Sequence, residues 1–259
     1  MRWGERMEPV TIKGLTFGAG LPKICVPLTA PTLPKLIAEA ENAAAHRGKD
    51  ADLCEWRVDS YIYRNTAAVR EAFWNLRQVL KGMPLLVTLR TKSEGGGADC
   101  TGEGYLYRIE ELIRLRPDLI DIELLTAGGP ATRAVWEAHQ AGVKVVLSSH
   151  DFNRTPSAAE MMTRIAKMDG LGADLCKIAV MPQCAEDVLT LLGVSVQASA
   201  IFRAPLITMS MDRLGAVSRL CGSLSGSAVT FGTLGDASAP GQLPAGLMAE
   251  ILPLLGNEE

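Results

Sequence analysis

Neither sign of charge dominates this chain of 259 residues: 26 lysines and arginines stand against 29 aspartates and glutamates, for a formal net charge of -3. There is thus no broad basic field to attract nucleic acid or an anionic membrane, and an anionic ligand must be met by locally placed arginines. Long apolar runs are missing too, so no stretch is suited to cross a bilayer. The opening Met1-Arg2-Trp3-Gly4-Glu5-Arg6 lacks the apolar stretch of a signal peptide. Six cysteines, Cys25, Cys54, Cys100, Cys176, Cys184 and Cys221, lack the close paired spacing of a structural zinc site. Three of them lie in apolar strand-like runs, which points to reduced thiols packed as small hydrophobes. A soluble cytoplasmic protein is the expectation.

What is present is material for a large core: 47% hydrophobic residues with 21% charged. After a short β-like opening over 10–17, expected as an N-terminal hairpin, apolar strand candidates begin near Ile24, Leu53, Leu85, Leu119, Lys144, Leu175, Pro205 and Val229. Their starts lie 24 to 34 residues apart, close to the length of a strand-helix-strand unit. One-sided apolar stripes at helical spacing fill most gaps, over 34–45, 66–80, 105–114, 130–140, 158–168 and 184–192, with a last helix over 244–255. No linker or low-complexity segment divides the chain. The pattern predicts one catalytic domain over 1–259, an α/β fold of the single-domain (β/α)8 TIM barrel type. An open doubly wound sheet would need a phosphate-binding glycine turn after its first strand, and that turn reads Thr29-Ala30-Pro31-Thr32.

In such a barrel, chemistry collects at the C-terminal ends of the strands. The second strand carries Glu55, Arg57 and Asp59 on one face by alternation, either as site residues or as a buried ion-pair network supporting the rim. The third ends on Arg90, expected as an anion clamp. It leads into Thr91-Lys92-Ser93-Glu94-Gly95-Gly96-Gly97, read as a mobile lid or hinge carrying Glu94. The fifth ends on His150, an address that sets it apart from His46 and His139 in helices; Asp151 is expected to cap the following helix. Lys177 interrupts Leu175-Cys176-Lys177-Ile178-Ala179-Val180, where hydrocarbon disfavours the charged ammonium. Two readings stay open: a nucleophilic amine, or a lysine with a buried stem whose head reaches water. The loop after the eighth strand has two readings: Ser238 and Gln242 offer neutral hydrogen bonds suited to hydroxyls and carboxylates, or it is a turn that merely closes the barrel.

Taken in order, Glu55-Trp56-Arg57, Arg90-Thr91 with Glu94-Gly95-Gly96, Ser149-His150-Asp151-Phe152, Lys177-Ile178-Ala179-Val180-Met181-Pro182, Met209-Ser210-Met211, Ser218-Arg219 and Ser238-Ala239-Pro240-Gly241-Gln242 closely resemble the type I 3-dehydroquinase family, from Ile24 through Gln242. The resemblance implies dehydration of 3-dehydroquinate to 3-dehydroshikimate in the shikimate pathway. It makes Lys177 the imine-forming lysine, His150 the general base and acid, and Glu94 its partner. It implies that Arg219, Gln242 and Ser238 hold the substrate carboxylate end, and that Glu55, Arg57 and Arg90 serve substrate hydroxyls and local charge balance. It also implies a homodimer and a chemistry that needs no metal or organic cofactor. A class I aldolase shares the imine but normally needs a phosphate site, and a catalytically silent barrel would have lost one of Lys177, His150 and Glu94. The sequence departs from some family members at Pro27, where they carry serine.

Overall fold

The structure, a computed structural model, describes residues 7–129, 131–235, 239 and 241–256. A small antiparallel hairpin, β1 (Val10–Ile12) and β2 (Leu15–Phe17), precedes the barrel strands. These are β3 (Lys23–Leu28), β4 (Leu53–Arg57), β5 (Leu85–Thr88), β6 (Leu119–Glu123), β7 (Lys144–Asp151), β8 (Leu175–Val180), β9 (Leu206–Ser210) and β10 (Val229–Thr233). Each is parallel to its neighbour in chain order from β3 to β9, and β10 pairs back with β3. An isolated parallel bridge, Leu206 to Ser227, joins the last strands, with the Ala228 N–H donating to the Leu206 carbonyl at 2.7 Å. The sheet thus curls into a barrel, and a two-residue strand, β11 (Leu243–Pro244), adds to the edge of β10.

The longer helices are α1 (Leu33–Ala45), α2 (Thr66–Val79), α3 (Gly102–Ile113), α5 (Ala131–Gln140), α6 (Ala158–Gly170), α7 (Ala185–Ile201) and α10 (Ala245–Leu255); α4 (Leu124–Ala127), α8 (Asp212–Gly215) and α9 (Gly222–Ser225) are single turns. All eight expected strands are present within a residue or so of their expected starts. Two helices differ in extent: α3 starts at Gly102, ahead of the expected 105, and α7 runs on through Gly193 to Ile201, because Val194, Ser195 and Ala198 bury against the barrel. That packing outweighs the roughly 1 kcal/mol that glycine costs inside a helix. The expected cap of α6 also differs. Ser157 accepts from the Glu160 N–H at 3.2 Å, whereas the Asp151 carboxylate turns the preceding loop by accepting from the Asn153 and Arg154 N–H groups.

Strand alternation divides the core in two. Outward residues such as Cys54, Trp56, Val87, Ile120, Leu147, Cys176 and Ile178 pack against the helices. Inward residues form a second cluster, and Leu53, Leu86, Leu119, Val146 and Leu175 make its lower layer, sealed by Phe17 and Ile12 of the hairpin. Cys25, Cys54 and Cys176 are buried among these side chains, and burial pushes the Cys54 thiol up to about 12. Above the apolar layer, the inward face changes to charged and polar groups. Among the described residues no helix is long and apolar enough to cross a membrane.

Phe17 is fully buried in the barrel floor. Phe17→Ala is expected to lower unfolding stability by about 3–5 kcal/mol, the cost of a large aromatic cavity. Urea denaturation measures it, and an unchanged midpoint would mean that the hairpin does not seal the barrel.

Candidate active site

The upper inward layers are built by the same alternation. Along β8, Leu175, Lys177 and Ala179 point inward; on β7 it is Val146, Ser148 and His150; on β6, Leu119, Asp121 and Glu123. The pairing sets Ser148 beside Lys177 and His150 beside Ala179, so His150 stands one inward step above the lysine on the adjacent strand.

Lys177 is 4% exposed, and its surroundings are not hydrocarbon alone. Its Nζ lies 3.5 Å from Glu55 Oε1, 4.0 Å from Asp121 Oδ2 and 4.3 Å from the centre of the Phe231 ring. Leu175, Cys176, Ile178 and Val180 are apolar neighbours in sequence, yet strand alternation turns three of these four β8 side chains away from the amine: Cys176, Ile178 and Val180 face the helices. The amine head thus lies inside the mouth and not on the outer surface.

Arg90 is buried at the centre of the mouth. Its guanidinium lies 2.8 Å from Asp121 Oδ2, 3.0 Å from Glu123 Oε1 and 3.6 Å from Glu94 Oε2, and it donates to Ser148 Oγ at 3.1 Å. Burial alone would lower its pKa, but Asp121, Glu123 and Glu94 raise it above the ordinary arginine value. The expected anion clamp is therefore largely engaged by the protein's own carboxylates. Asp121 also accepts from Ser148 Oγ at 2.7 Å, and Glu123 takes the Thr91 N–H at 2.8 Å and its hydroxyl at 2.6 Å. Asp59, at the end of β4, holds Arg57 through two hydrogen bonds of 2.9 and 2.8 Å and accepts from the Arg90 and Gly97 N–H groups. Burial raises the Asp59 pKa, but these donors outweigh it and leave the carboxyl below its ordinary value.

The loop after β5 is packed, not open. Glu94 ends a short turn over Lys92–Glu94 and is only 3% exposed. A Cβ on Gly96 would run into the Arg90 carbonyl, and one on Gly95, which sits at φ +81°, into the Phe152 ring. These glycines serve close approach, not looseness. Glu94 Oε2 accepts from the His150 backbone N–H at 2.9 Å and meets His150 Nδ1 at 2.8 Å. Burial pushes the Glu94 carboxyl up to about 8, and burial with the Arg90, Lys177 and Arg57 cations holds the His150 imidazole well below its ordinary value. The outer imidazole nitrogen is left for a ligand in the cavity.

That cavity gathers Glu55, Arg57, Arg90, Glu94, His150, Lys177, Arg219 and Gln242 in its walls, with Pro27, Met209, Met211 and Phe231 as apolar lining. Eight of the nine residues expected from sequence thus meet in one place; the ninth, Ser238, lies outside the described residues. Arg219 is buried, and burial lowers its pKa to about 10. A buried guanidinium in the cavity wall can meet an anionic group of a ligand. Sequence reasoning missed Asp121, Glu123, Ser148 and Thr88, whose hydroxyl donates to Glu55 Oε1 at 2.9 Å. The signal was available in Leu119-Ile120-Asp121-Ile122-Glu123, where acids alternate with isoleucine on a strand.

A closed parallel barrel with a buried lysine, an imidazole–carboxylate pair and a buried arginine gathered at its C-terminal mouth has the layout of a barrel enzyme. Residues 24–259 match type I 3-dehydroquinase, and the chain belongs to that family. It is 44% identical over 249 residues to the 3-dehydroquinate dehydratase of Klebsiella pneumoniae subsp. pneumoniae, covering 95% of this chain and 98% of that one. The Listeria welshimeri enzyme of the same name is 44% identical over 254 residues, covering 97% and 100%. The crystal structure of type I 3-dehydroquinate dehydratase from Clostridium difficile with covalent modified comenic acid superposes with a TM-score of 0.88, at 41% identity over 96% of this chain and 98% of that one.

The Glu94 value carries a stability consequence. A carboxyl raised from its ordinary 4.5 to about 8 stabilises the fold fully below 4.5, and that contribution is lost as pH rises through about 8. Between about pH 7 and pH 9, wild type should therefore lose more unfolding free energy than Glu94→Gln. Equal losses in urea titrations would place the buried proton elsewhere.

Proposed function

We propose that this chain dehydrates 3-dehydroquinate to 3-dehydroshikimate and water through an imine on Lys177. The observation that carries the proposal is the buried Lys177 amine sharing one small cavity with the His150–Glu94 pair and Arg219. In this reading the substrate carboxylate lies at Arg219 and Gln242, with Ser238 in the same loop, and its C3 carbonyl at Lys177 Nζ. The amine loses a proton, attacks C3, and water leaves as the C=N bond forms. The cationic imine withdraws electrons more strongly than the ketone, so His150 Nε2 removes a proton from C2 and an enamine forms. Collapse of the enamine restores the imine and expels the C1 oxygen, which takes the proton from His150 and leaves as water. Hydrolysis then frees product and amine. The imine itself is the electron sink, so the sequence of steps needs no metal or organic cofactor.

Glu55, 3.5 Å from the amine, balances the cationic imine, while Arg57 sits at the rim for a substrate hydroxyl. Glu94 keeps a hydrogen on Nδ1 and so presents Nε2 as the base. A cytoplasmic homodimer is part of the same proposal. Six free cysteines suit a reducing compartment, and the sedimentation mass in solution tests the dimer.

Borohydride added during turnover of 3-dehydroquinate should leave a mass adduct on Lys177 in wild type and none in Lys177→Ala. An unlabelled Lys177 beside active enzyme would exclude the covalent route. His150→Ala should still trap an adduct but lose about 10²–10⁴-fold in kcat, the usual worth of a positioned acid-base group. Arg219→Ala should raise KM about tenfold or more, from the roughly 1.5–3 kcal/mol of a charge-assisted hydrogen bond. An unchanged KM would move the carboxylate site elsewhere.

A further inference from the structure

A second cavity, of about 350 Å³, lies outside the barrel between α2 and α3 and has no part in the chemistry above. Its size falls within the range of small-molecule sites, about 300–1,000 Å³. Val58 and Leu89 form part of its apolar floor, and Trp74, Arg70, Arg108 and Arg114 stand around it. Trp74 is half exposed. Glu111 is the only acid of the lining, and it is engaged: it accepts from Thr66 Oγ1 at 2.8 Å and lies 3.8 Å from Arg108 Nε. Arg70 is exposed and pairs with no carboxylate among the described residues. Arg114 lies 3.9 Å from Glu110 Oε2, so among the described residues Arg70 is the guanidinium of the lining that meets no carboxylate; apolar floor, indole wall and that cation suit one class of ligand, a small aromatic carboxylate with its ring on the floor and its anion on Arg70.

The floor is the reverse side of the active site. Val58 follows Arg57 and Leu89 precedes Arg90, so the segments that aim those two guanidinium groups into the mouth place Val58 and Leu89 in the lining of this cavity. A smaller adjoining cavity shares Val58, Leu89 and Arg108, and reaches Asp59 and Ala98. Asp59 holds Arg57 and the Arg90 and Gly97 N–H groups, and the Ala98 N–H donates to the Arg90 carbonyl at 3.0 Å. A ligand seated here touches the outer faces of the segments that fix Arg57, Arg90 and the Glu94 loop.

We propose that the α2–α3 groove is an effector site for a small aromatic carboxylate, coupled to turnover through Val58, Leu89 and Asp59. The binding half stands independently of the proposed reaction; only the effect on turnover rests on it. Indole-3-acetate is a suitable probe, titrated calorimetrically into the full chain. Saturable binding should persist in Arg219→Ala, which disables the anion site of the mouth, and weaken at least about tenfold in Arg70→Glu, a difference of about 1.4 kcal/mol. At saturating 3-dehydroquinate the probe should change kcat of wild type about twofold or more and leave Arg70→Glu, whose basal turnover is unaltered, unchanged. Absence of saturable binding, binding indifferent to Arg70→Glu, loss of binding in Arg219→Ala, or an unchanged kcat at saturation would each overturn the proposal. Absence of all 3-dehydroquinate turnover, with binding intact, would instead count against the reaction.

Discussion

The buried guanidinium of Arg90 holds this active site together. It meets Asp121, Glu123 and Glu94 within 3.6 Å, far from water. Breaking such a pairing leaves buried charges uncompensated, at a cost of about 3–5 kcal/mol. Everything at the mouth is arranged around this centre. Glu123 ties the Thr91 backbone and hydroxyl to β6, Asp59 ties the Arg90 and Gly97 amides to β4, and Glu94 ties the same loop to β7 through His150. Together these contacts fix four strand ends relative to one another.

The lysine and histidine are positioned by this frame more than by each other. Lys177 rises from an apolar floor into a layer of carboxylates, which hold its amine in the cavity. His150 is oriented at two points, backbone and Nδ1, by one carboxylate oxygen. Cations around the imidazole favour its neutral form, the form that acts as a base. The barrel interior is thus graded from hydrocarbon below to charge above, and the hairpin seals the hydrocarbon end. The helices outside share strand ends with the mouth, which is how an outer groove lies directly behind the segments that carry Arg57 and Arg90.

Much of the site was legible in sequence because period-two alternation needs no tertiary information. It placed Glu55 with Arg57 and put His150 and Lys177 on strands. The same alternation turns Asp121 and Glu123 of β6 to the inward face. Two local readings failed for physical reasons. Three successive glycines read as a mobile lid, yet Gly96 is small so that the chain can pass the Arg90 carbonyl. Arg90 read as a clamp for an external anion, yet acids from distant parts of the chain reach it first.

The sequence by itself determined the fold, since eight apolar segments at regular spacing with helical stripes between them have few other ways to bury their faces. It also determined which side chains face inward, because alternation is a property of the extended backbone. Only the tertiary structure decided which of these groups meet. The distance from Lys177 to Glu55 spans 122 positions of chain, and that from His150 to Glu94 spans 56. Pairings of that length depend on strand register and barrel closure, as does the burial that lifts Glu94 and lowers His150. Those are properties of the closed barrel and of no single segment.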